Sequence, residues 1–159
     1  MDIVNKKTRS SMMAKIRSQD TKPEMIARKY LHSQGFRYRL HASYLPGRPD
    51  IVFPKRKVAI FIHGCFWHQH LGCKLAYTPS SNTDMWKKKF ADNNARDKRV
   101  QSALIDQDWK VIVIWECGLR GRKVHETLLW LSETIMTTTR SWQEYPHLTQ
   151  TLFQQEKTH

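Results

Sequence analysis

Residues 46–68 read PGRPDIVFPKRKVAIFIHGCFWH, and this stretch decides the fold of the chain. Its apolar runs at 50–53 and 58–63 are separated by a polar segment at 54–57 that begins with proline, which is typical of a tight connection between strands. The spacing predicts a β-hairpin that is entered through the rigid turn Pro46-Gly47-Arg48-Pro49. We expect the other strands to join the same sheet.

The segments after the hairpin alternate between helix and strand. Residues 83–106 form a predicted long helix, and residues 109–115 (WKVIVIW) are apolar on both faces, as expected for a central strand. A last helix is predicted over 122–136 from the spacing of its apolar residues. The inward stripe of the long helix consists of Trp86, Phe90, Asn93, Asp97, Val100 and Leu104.

Before the hairpin, the sequence predicts one helix and one strand. Thr21-Lys22-Pro23-Glu24 has the pattern of a capping box, and the helix that it starts runs to about Gln34, where Gly35 ends it. Residues 36–40 alternate between apolar and basic side chains, as in a half-buried strand. The order of the elements predicts an α/β sandwich around a small mixed sheet.

The same pattern divides the chain into three parts. Residues 1–20 form a basic N-terminal arm, residues 21–136 form the folded domain, and residues 137–159 form a polar C-terminal tail that we expect to be partly ordered. A chain of 159 residues accommodates one domain of this size.

Composition and charge exclude some classes of protein. The chain is 40% hydrophobic, yet no apolar run approaches the ~20 residues that span a bilayer, and the N-terminus lacks a signal-peptide core. We therefore expect neither a membrane protein nor a secreted one. A net charge of +13 indicates a polyanionic partner, and nucleic acid is favoured over an anionic membrane surface. The alternative is that the charged residues only form a solvated face.

Cysteine and histidine are concentrated just after the hairpin. An odd number of cysteines argues against a disulfide framework and leaves buried thiols or metal ligands. Cys65, Cys73 and Cys117, with one histidine, supply the four thiolate and imidazole donors of a structural zinc site. His68 and His70 are two residues apart, so an extended segment would point them to opposite sides and leave only one of them to bind metal.

A second group of polar residues lies at the ends of predicted strands and on the long helix. Asp50 begins one hairpin strand and His63 ends the other, which is the minimum arrangement for holding Mg²⁺ on a phosphodiester. A Pro-Asp pair is also an ordinary turn signal. Asp97 lies on the inward stripe, where a carboxylate needs a donor, either an imidazole N–H or a basic side chain.

Aromatic side chains provide a third feature. Phe66, Trp67 and Trp86 stand in or beside the loop near the basic runs rather than on strands. Apolar wedges of this kind can enter and open a base stack, at the lowest cost where a pair is mismatched. Core packing is the alternative explanation for these side chains.

Four segments together closely resemble the very short patch repair (Vsr) endonuclease family, namely LPGRPDIVF, IFIHGCFWH, NNARDKR and VIWECGLRGR. The resemblance covers residues 7–136. It implies a restriction-endonuclease-like (PD-(D/E)xK-related) three-layer α/β sandwich with a structural zinc. It also implies a Mg²⁺-dependent enzyme that nicks one DNA strand 5′ to the thymine of a T:G mismatch left by deamination of 5-methylcytosine. Phe61 and His63 stand where the wider fold keeps an acidic residue and a lysine, and Ile62 stands where some members have a hydroxyl residue.

The resemblance further implies a role for each matched residue. Asp50 and the main-chain carbonyl oxygen of Ile62 would hold the catalytic Mg²⁺. His63 and His68 would be the catalytic histidines, and Asp97 would orient one of them. The zinc ligands would be Cys65, His70, Cys73 and Cys117. The side chains that intrude at the mismatch would be Phe66, Trp67, Trp86, Met13 and Ile16.

The expected partner is therefore double-stranded DNA that carries a T:G mismatch, and nicking one strand needs only a monomer. Other repair proteins are further candidate partners, and DNA binding implies a bacterial cytoplasmic location on the nucleoid. Two alternatives stay open: a sequence- or structure-specific endonuclease of the same fold, and a non-catalytic zinc-containing DNA-binding module. Strand scission separates the binding module from both nucleases, whereas salt-dependent binding is common to all three.

Overall fold

The structure is a computed structural model that describes residues 19–147. In these residues a five-stranded mixed sheet carries helices on both faces. No helix among them is long and apolar enough to cross a membrane. The α-helices are α1 (Lys22–Ser33), α2 (Cys65–His68), α3 (Thr83–Asp106) and α4 (Val124–Thr137). The strands are β1 (Arg39–Leu40), β2 (Ile51–Phe53), β3 (Val58–His63), β4 (Lys110–Trp115) and β5 (Trp142–Tyr145).

The predicted hairpin is confirmed and forms one half of the sheet. β2 runs antiparallel to β3, with Ile51 opposite Ile60. β4 runs parallel to β3, and α3 provides the crossover that a parallel pair requires. The register ends with His63 opposite Trp115, so the residues that follow β3 and β4 leave the sheet side by side.

An apolar core covers each face of the sheet. On one face, α1 and α4 pack against inward side chains such as Ile60 and Ile112. On the other face, Leu104 of α3 packs against Ala59 and Val113. Both faces of β3 and β4 are buried, which explains why their sequences are apolar over Val58–Ile62 and Val111–Trp115 instead of alternating.

The first half of the predicted capping box of α1 is confirmed. The Glu24 main-chain N–H donates to Thr21 Oγ1 at 3.4 Å, and Gly35, with φ +90°, follows the helix end. The second half differs from the prediction, because the Glu24 side chain accepts from the Asp20 N–H at 3.1 Å. The Arg28 guanidinium, 2.8 Å from the same carboxylate oxygen, holds the Glu24 side chain in a buried position.

β1 is shorter than the alternation of residues 36–40 predicted. Backbone pairing begins only at Arg39, opposite Val52. Phe36 and Tyr38 still turn inward, and their rings meet Phe53 edge-on at centroid distances of 5.7 and 6.2 Å. Alternation therefore indicated the inward side chains of Phe36 and Tyr38, but it was wrong for Leu40, which is 40% exposed, and it did not indicate where hydrogen bonding to the next strand begins.

β5 lies in the segment that the sequence analysis assigned to the polar tail. It pairs parallel to β4, from Trp142 opposite Val111 to Tyr145 opposite Ile114. Its sequence WQEY has no strong apolar pattern because it is an edge strand that packs through aromatic and polar contacts, such as the stack of Tyr145 on Trp130. The sheet therefore extends beyond residue 136.

The turn that leads to Asp50 depends on Gly47, which has φ +71° and lies against α3. A Cβ atom added to Gly47 would lie 2.0 Å from Val100 Cγ1, far inside van der Waals contact. We expect Gly47→Ala to lower the free energy of unfolding by about 2–4 kcal/mol, from backbone strain and overpacking together. Urea denaturation followed by circular dichroism measures this loss.

Gly35→Ala is the matched control for that substitution. Gly35 also has a positive φ, yet no atom lies within 4 Å of the position that its Cβ would take. The control should lose about 1–2 kcal/mol from strain alone. Equal losses in the two variants would contradict the packing argument at Gly47.

Candidate active site and metal centre

Two histidine rings stack at the end of β3. His63 is the last residue of β3 and His68 is the last residue of α2, and their parallel rings have centroids 3.8 Å apart. The short helix α2 turns the chain back over the strand end, which brings the two side chains together. Burial lowers the pKa of His63 well below its usual range, and the nearby His68 and Arg96 lower it further. His63 is therefore neutral.

Asp97 of α3 contacts the second histidine. His68 Nδ1 and Asp97 Oδ2 are 2.6 Å apart. We assign the shared proton to Nδ1 because an ionised carboxylate only accepts hydrogen bonds, and this leaves Nε2 free to accept a proton. The hydrogen-bond partner of Asp97 is therefore an imidazole and not a basic side chain. Ligand atoms of His63, His68 and Asp97 lie within 4.8 Å of one another.

Asp50 stands immediately before β2 and turns its carboxylate toward β3. The main-chain N–H of Ile62, one residue before His63, donates to Asp50 Oδ2 at 2.7 Å. Burial raises the pKa of Asp50 to about 7, the Ile62 N–H acts in the opposite direction, and the neighbouring Glu24 carboxylate adds to the rise. A carboxylate whose charge is disfavoured in this way gains most from a bound cation.

Three polar residues beside Asp50 were not assigned to the site by the sequence analysis. Glu24 and Arg28 are 2% and 7% exposed, and His41 Nε2 lies 3.2 Å from the Glu24 carboxylate. A signal was present, because Glu24 and Arg28 are four residues apart on one face of α1. The capping box is an equally good explanation of a glutamate at this position, so the spacing alone does not assign Glu24 to the site.

The polar group beside Asp50 does not need a metal ion to balance its carboxylates. Asp20, Glu24 and His41 offer ligand atoms close enough for a metal ion. Arg28 forms ion pairs with both carboxylates, at 2.7 Å to Asp20 and 2.8 Å to Glu24. The protein itself therefore supplies the positive charge at this position.

The four residues predicted as zinc ligands converge behind α2. Ligand atoms of the four residues lie within 4.8 Å of one another, and His70 Nδ1 is 3.7 Å from Cys65 Sγ and 3.5 Å from Cys117 Sγ. Tetrahedral zinc with the usual bond lengths would separate sulfur and nitrogen by about 3.6 Å. Zinc therefore fits the donor set in both chemistry and spacing. The four residues are Cys65, His70, Cys73 and Cys117.

The thiols of this cluster are prepared for metal binding. All three cysteines are free, as expected from their odd number. A hydrogen bond from the Cys65 thiol lowers the pKa of Cys117 to about 4, whereas the same contact and burial raise the pKa of Cys65. The two sulfurs thus share one proton, and the thiolate is the form of cysteine that binds metal.

His68 and His70 face different sites as predicted, but the backbone between them is not extended. His68 ends α2, and Gln69 adopts a left-handed conformation with φ 49°. This reversal turns His70 inward, where it is 3% exposed, and leaves His68 beside His63. A helical turn followed by a left-handed residue separates the two side chains, instead of the alternation of a strand.

The predicted wedge residues form an aromatic cluster beside the histidines. The Phe66 ring lies 5.2 Å from Trp67 and 5.4 Å from Trp86. Trp86 is 5% exposed and packed inside the cluster, whereas Phe66 and Trp67 are half-buried. Met13 and Ile16 lie outside the residues that the structure describes.

Comparison with known proteins identifies relatives across most of the chain. A family model described as DNA mismatch endonuclease Vsr matches residues 1–74. The Type II nicking enzyme V.XorIIP of Xanthomonas oryzae pv. oryzae is 47% identical over 118 residues, which are 74% of this chain and 86% of that protein. The Type II nicking enzyme V.NmeAIP of Neisseria meningitidis serogroup A is 46% identical over 123 residues, 77% of this chain and 87% of that protein.

A third relative carries the family name itself. The DNA mismatch endonuclease Vsr of Escherichia coli (strain K12) is 42% identical over 122 residues, which are 77% of this chain and 78% of that protein. The resemblance inferred from four short segments is therefore confirmed over most of the length of each relative. The chain belongs to the Vsr family of DNA endonucleases.

Proposed function

We propose that the protein nicks one strand of duplex DNA 5′ to the thymine of a T:G mismatch, as in the repair of deaminated 5-methylcytosine. The observation that carries the proposal is the stacked pair of His63 and His68, with Asp97 2.6 Å from His68 and Asp50 immediately before the adjoining strand. The names of the relatives support both parts of the proposal, since two are called nicking enzymes and one a mismatch endonuclease.

The two imidazoles have different roles in the hydrolysis. His68 accepts a proton at Nε2 from the attacking water, and Asp97 stabilises the imidazolium that forms. His63 is neutral and buried against His68, so it can donate a ring N–H hydrogen bond to a phosphate oxygen without a second positive charge in the stack, and the leaving oxygen takes its proton from water. With these two roles, the mechanism needs no lysine at the end of β3, where His63 replaces the lysine of the wider fold.

Mg²⁺ would be held by Asp50 and the main-chain carbonyl oxygen of Ile62. The Asp50 N–H donates to the Ile60 carbonyl at 3.0 Å. Because alternate residues of a strand direct their carbonyls to the same neighbour, the Ile62 carbonyl faces the Asp50 side as well. When bound, the ion supplies positive charge that stabilises the phosphate oxygens during cleavage. Its remaining positions would be taken by water and phosphate.

Zinc in the cluster behind α2 would have a structural role. Cys65 begins α2 and Cys117 follows β4, so an ion that binds both would fasten α2 to the sheet. α2 also contains Phe66, Trp67 and His68. The same metal would therefore fix the wedge and one catalytic histidine.

The arrangement of strands also supports the restriction-endonuclease-like fold proposed from the resemblance. Asp50 begins the β2 side of a hairpin, and His63 ends the β3 side within a mixed sheet covered on both faces. In that fold, a three-layer sandwich presents its metal-binding carboxylate at this position.

Basic and aromatic side chains are adjacent on α3 and α2. Lys89 Nζ lies 5.0 Å from the centroid of the Trp67 ring and 5.6 Å from that of Trp86. A cation that binds a phosphate at this place would bring the backbone of the DNA next to the wedge. Insertion at a T:G pair would cost less than at a matched pair. The exposed basic residues of this part of α3 are Lys87, Lys88, Lys89, Arg96, Lys98 and Arg99.

The experiment that tests this function is cleavage of labelled duplexes that differ in one base pair and contain randomised flanks. With Mg²⁺ present, we expect one nick 5′ to the thymine of T:G and little cleavage of T:A or of other mismatches. Equal nicking of T:G and T:A would favour the nuclease without mismatch requirement. Binding of the duplexes without scission would favour the zinc-containing DNA-binding module.

Asp97→Asn is expected to lower kcat for nicking by about 10²-fold, because the amide no longer stabilises an imidazolium at His68. KM for the duplex should change little. Single-turnover cleavage kinetics measure both constants. Asp92→Asn is the matched control, since it removes the same charge from an exposed position of α3. An equal loss in both variants would assign the effect to the charge of the helix rather than to His68.

A further inference from the structure

Trp115, the last residue of β4, lies between the histidines of the active site and the metal cluster. His70 of the metal cluster stacks on the indole at a centroid distance of 4.2 Å, with the rings 7° from parallel. His63 of the active site meets the same ring edge-on at 5.3 Å. Trp115 is 8% exposed. One buried ring therefore contacts both sites.

The orientation of Trp115 is fixed from β5. Its Nε1–H donates to Glu144 Oε2 at 3.0 Å, and the other carboxylate oxygen of Glu144 lies 3.3 Å from His147 Nδ1. A buried indole N–H needs such a partner, so Glu144 selects one tilt of the ring. The main-chain carbonyl of Pro146, two residues along, accepts a hydrogen bond from His70 Nε2 at 3.0 Å. A single short segment thus holds both Trp115 and His70.

We propose that Glu144 is a positioning residue that acts through Trp115 on His63 and on His70. The inference rests on the proposed function for the first of these effects, while the effect on His70 concerns metal retention alone. Loss of the Glu144 carboxylate leaves the indole N–H unpaired, and the ring then leaves the tilt that supports both stacks. Small displacements of catalytic groups and of metal ligands reduce activity and affinity strongly.

Glu144→Ala should lower kcat for nicking by about 10-fold or more without raising KM, because no DNA-facing group is changed. It should also speed the release of zinc from the loaded protein to a colorimetric chelator by about 10-fold. Glu144→Gln should restore both values toward wild type, because its amide oxygen accepts the same indole N–H. A role in stability alone would lower the thermal midpoint but would not produce this rescue with an unchanged KM.

Glu126→Ala is the matched control, because Glu126 also holds the segment that contains Glu144. Glu126 accepts a hydrogen bond from Tyr145 Oη at 2.8 Å and thereby holds β5 from α4, away from Trp115. It should leave kcat and zinc release near wild type. Equal losses in Glu126→Ala and Glu144→Ala would overturn the proposal, since docking of β5 would then be sufficient to explain them.

Trp115→Phe provides a second test of the same link, because it keeps an aromatic ring and removes the N–H. If the Trp115–Glu144 bond is the link, the double variant with Glu144→Ala should be no worse than the poorer single variant. Additive losses would overturn the proposal. The chelator measurement needs no DNA, so a protein that nicks no duplex would refute the proposed function while zinc release still decides this inference.

Discussion

Asp50→Asn is expected to lower the rate of DNA nicking by about 10³–10⁴-fold, the largest effect on activity of any substitution considered. The asparagine oxygen still accepts the Ile62 N–H that lies 2.7 Å from Asp50 Oδ2, so the local hydrogen bond is kept. What is lost is the negative charge that would hold Mg²⁺ against the scissile phosphate. The chemistry should therefore fail in a protein that remains folded.

Three measurements distinguish this loss from unfolding, from loss of DNA binding and from a general effect of removing a negative charge. The urea midpoint of Asp50→Asn should equal or exceed that of wild type, because a neutral amide costs less to bury than a carboxylate. Affinity for the T:G duplex, measured by fluorescence anisotropy, should be retained. Asp106→Asn, at an exposed position near the end of α3, should nick normally. Nicking by Asp50→Asn within threefold of wild type would reject Asp50 as the residue that holds the catalytic metal.

Cys117→Ser is expected to remove zinc from the protein and to lower the free energy of unfolding by on the order of 5 kcal/mol. The reason is that Cys117 follows β4 and shares the cluster with Cys65 at the start of α2, so the metal would connect two distant parts of the chain. A structural zinc site contributes its binding energy to folding. Elemental analysis gives the zinc content, and thermal unfolding with and without chelator gives the stability.

His68 and His70 provide a matched pair of control substitutions for this prediction. His70→Ala should lose zinc as Cys117→Ser does, because His70 Nδ1 lies 3.5 Å from Cys117 Sγ. His68→Ala, two residues earlier, should keep a full complement of zinc, because His68 bonds to Asp97 instead. A chelator added to wild type should reproduce the stability of Cys117→Ser. An unchanged zinc content in Cys117→Ser would discard the ligand set.

Several elements were predictable because their signals are local. The bounds of α3, the hairpin of β2 and β3, and the end of α1 near Gly35 follow from apolar spacing, turn residues and a helix cap within a few positions of each other. β5 was not predictable in this way. Its four residues become a strand because β4 presents an unpaired edge to them, and that edge exists only after the rest of the sheet has formed.

The candidate site divides along the same line. Inward spacing on α3 indicated that Asp97 needs a donor, and the structure supplied His68 as that donor. The spacing of Glu24 and Arg28 indicated an ion pair on α1, but it could not indicate that Glu24 lies near Asp50, because this proximity depends on how α1 packs on the hairpin. The contacts of Trp115 with His63 and with His70 likewise depend on the position of α2 over the end of the sheet.

The amino-acid sequence by itself determined the family, the types of donor available to the proposed metals and the order of the central helices and strands, because all of these follow from local residue patterns. Only the tertiary structure decided that His68 meets Asp97 across 29 positions and that His70 meets Pro146 across 76. Contacts at such separations depend on strand register and on the left-handed turn at Gln69. Local patterns do not specify these features, because the free energy that selects them comes from packing between distant segments.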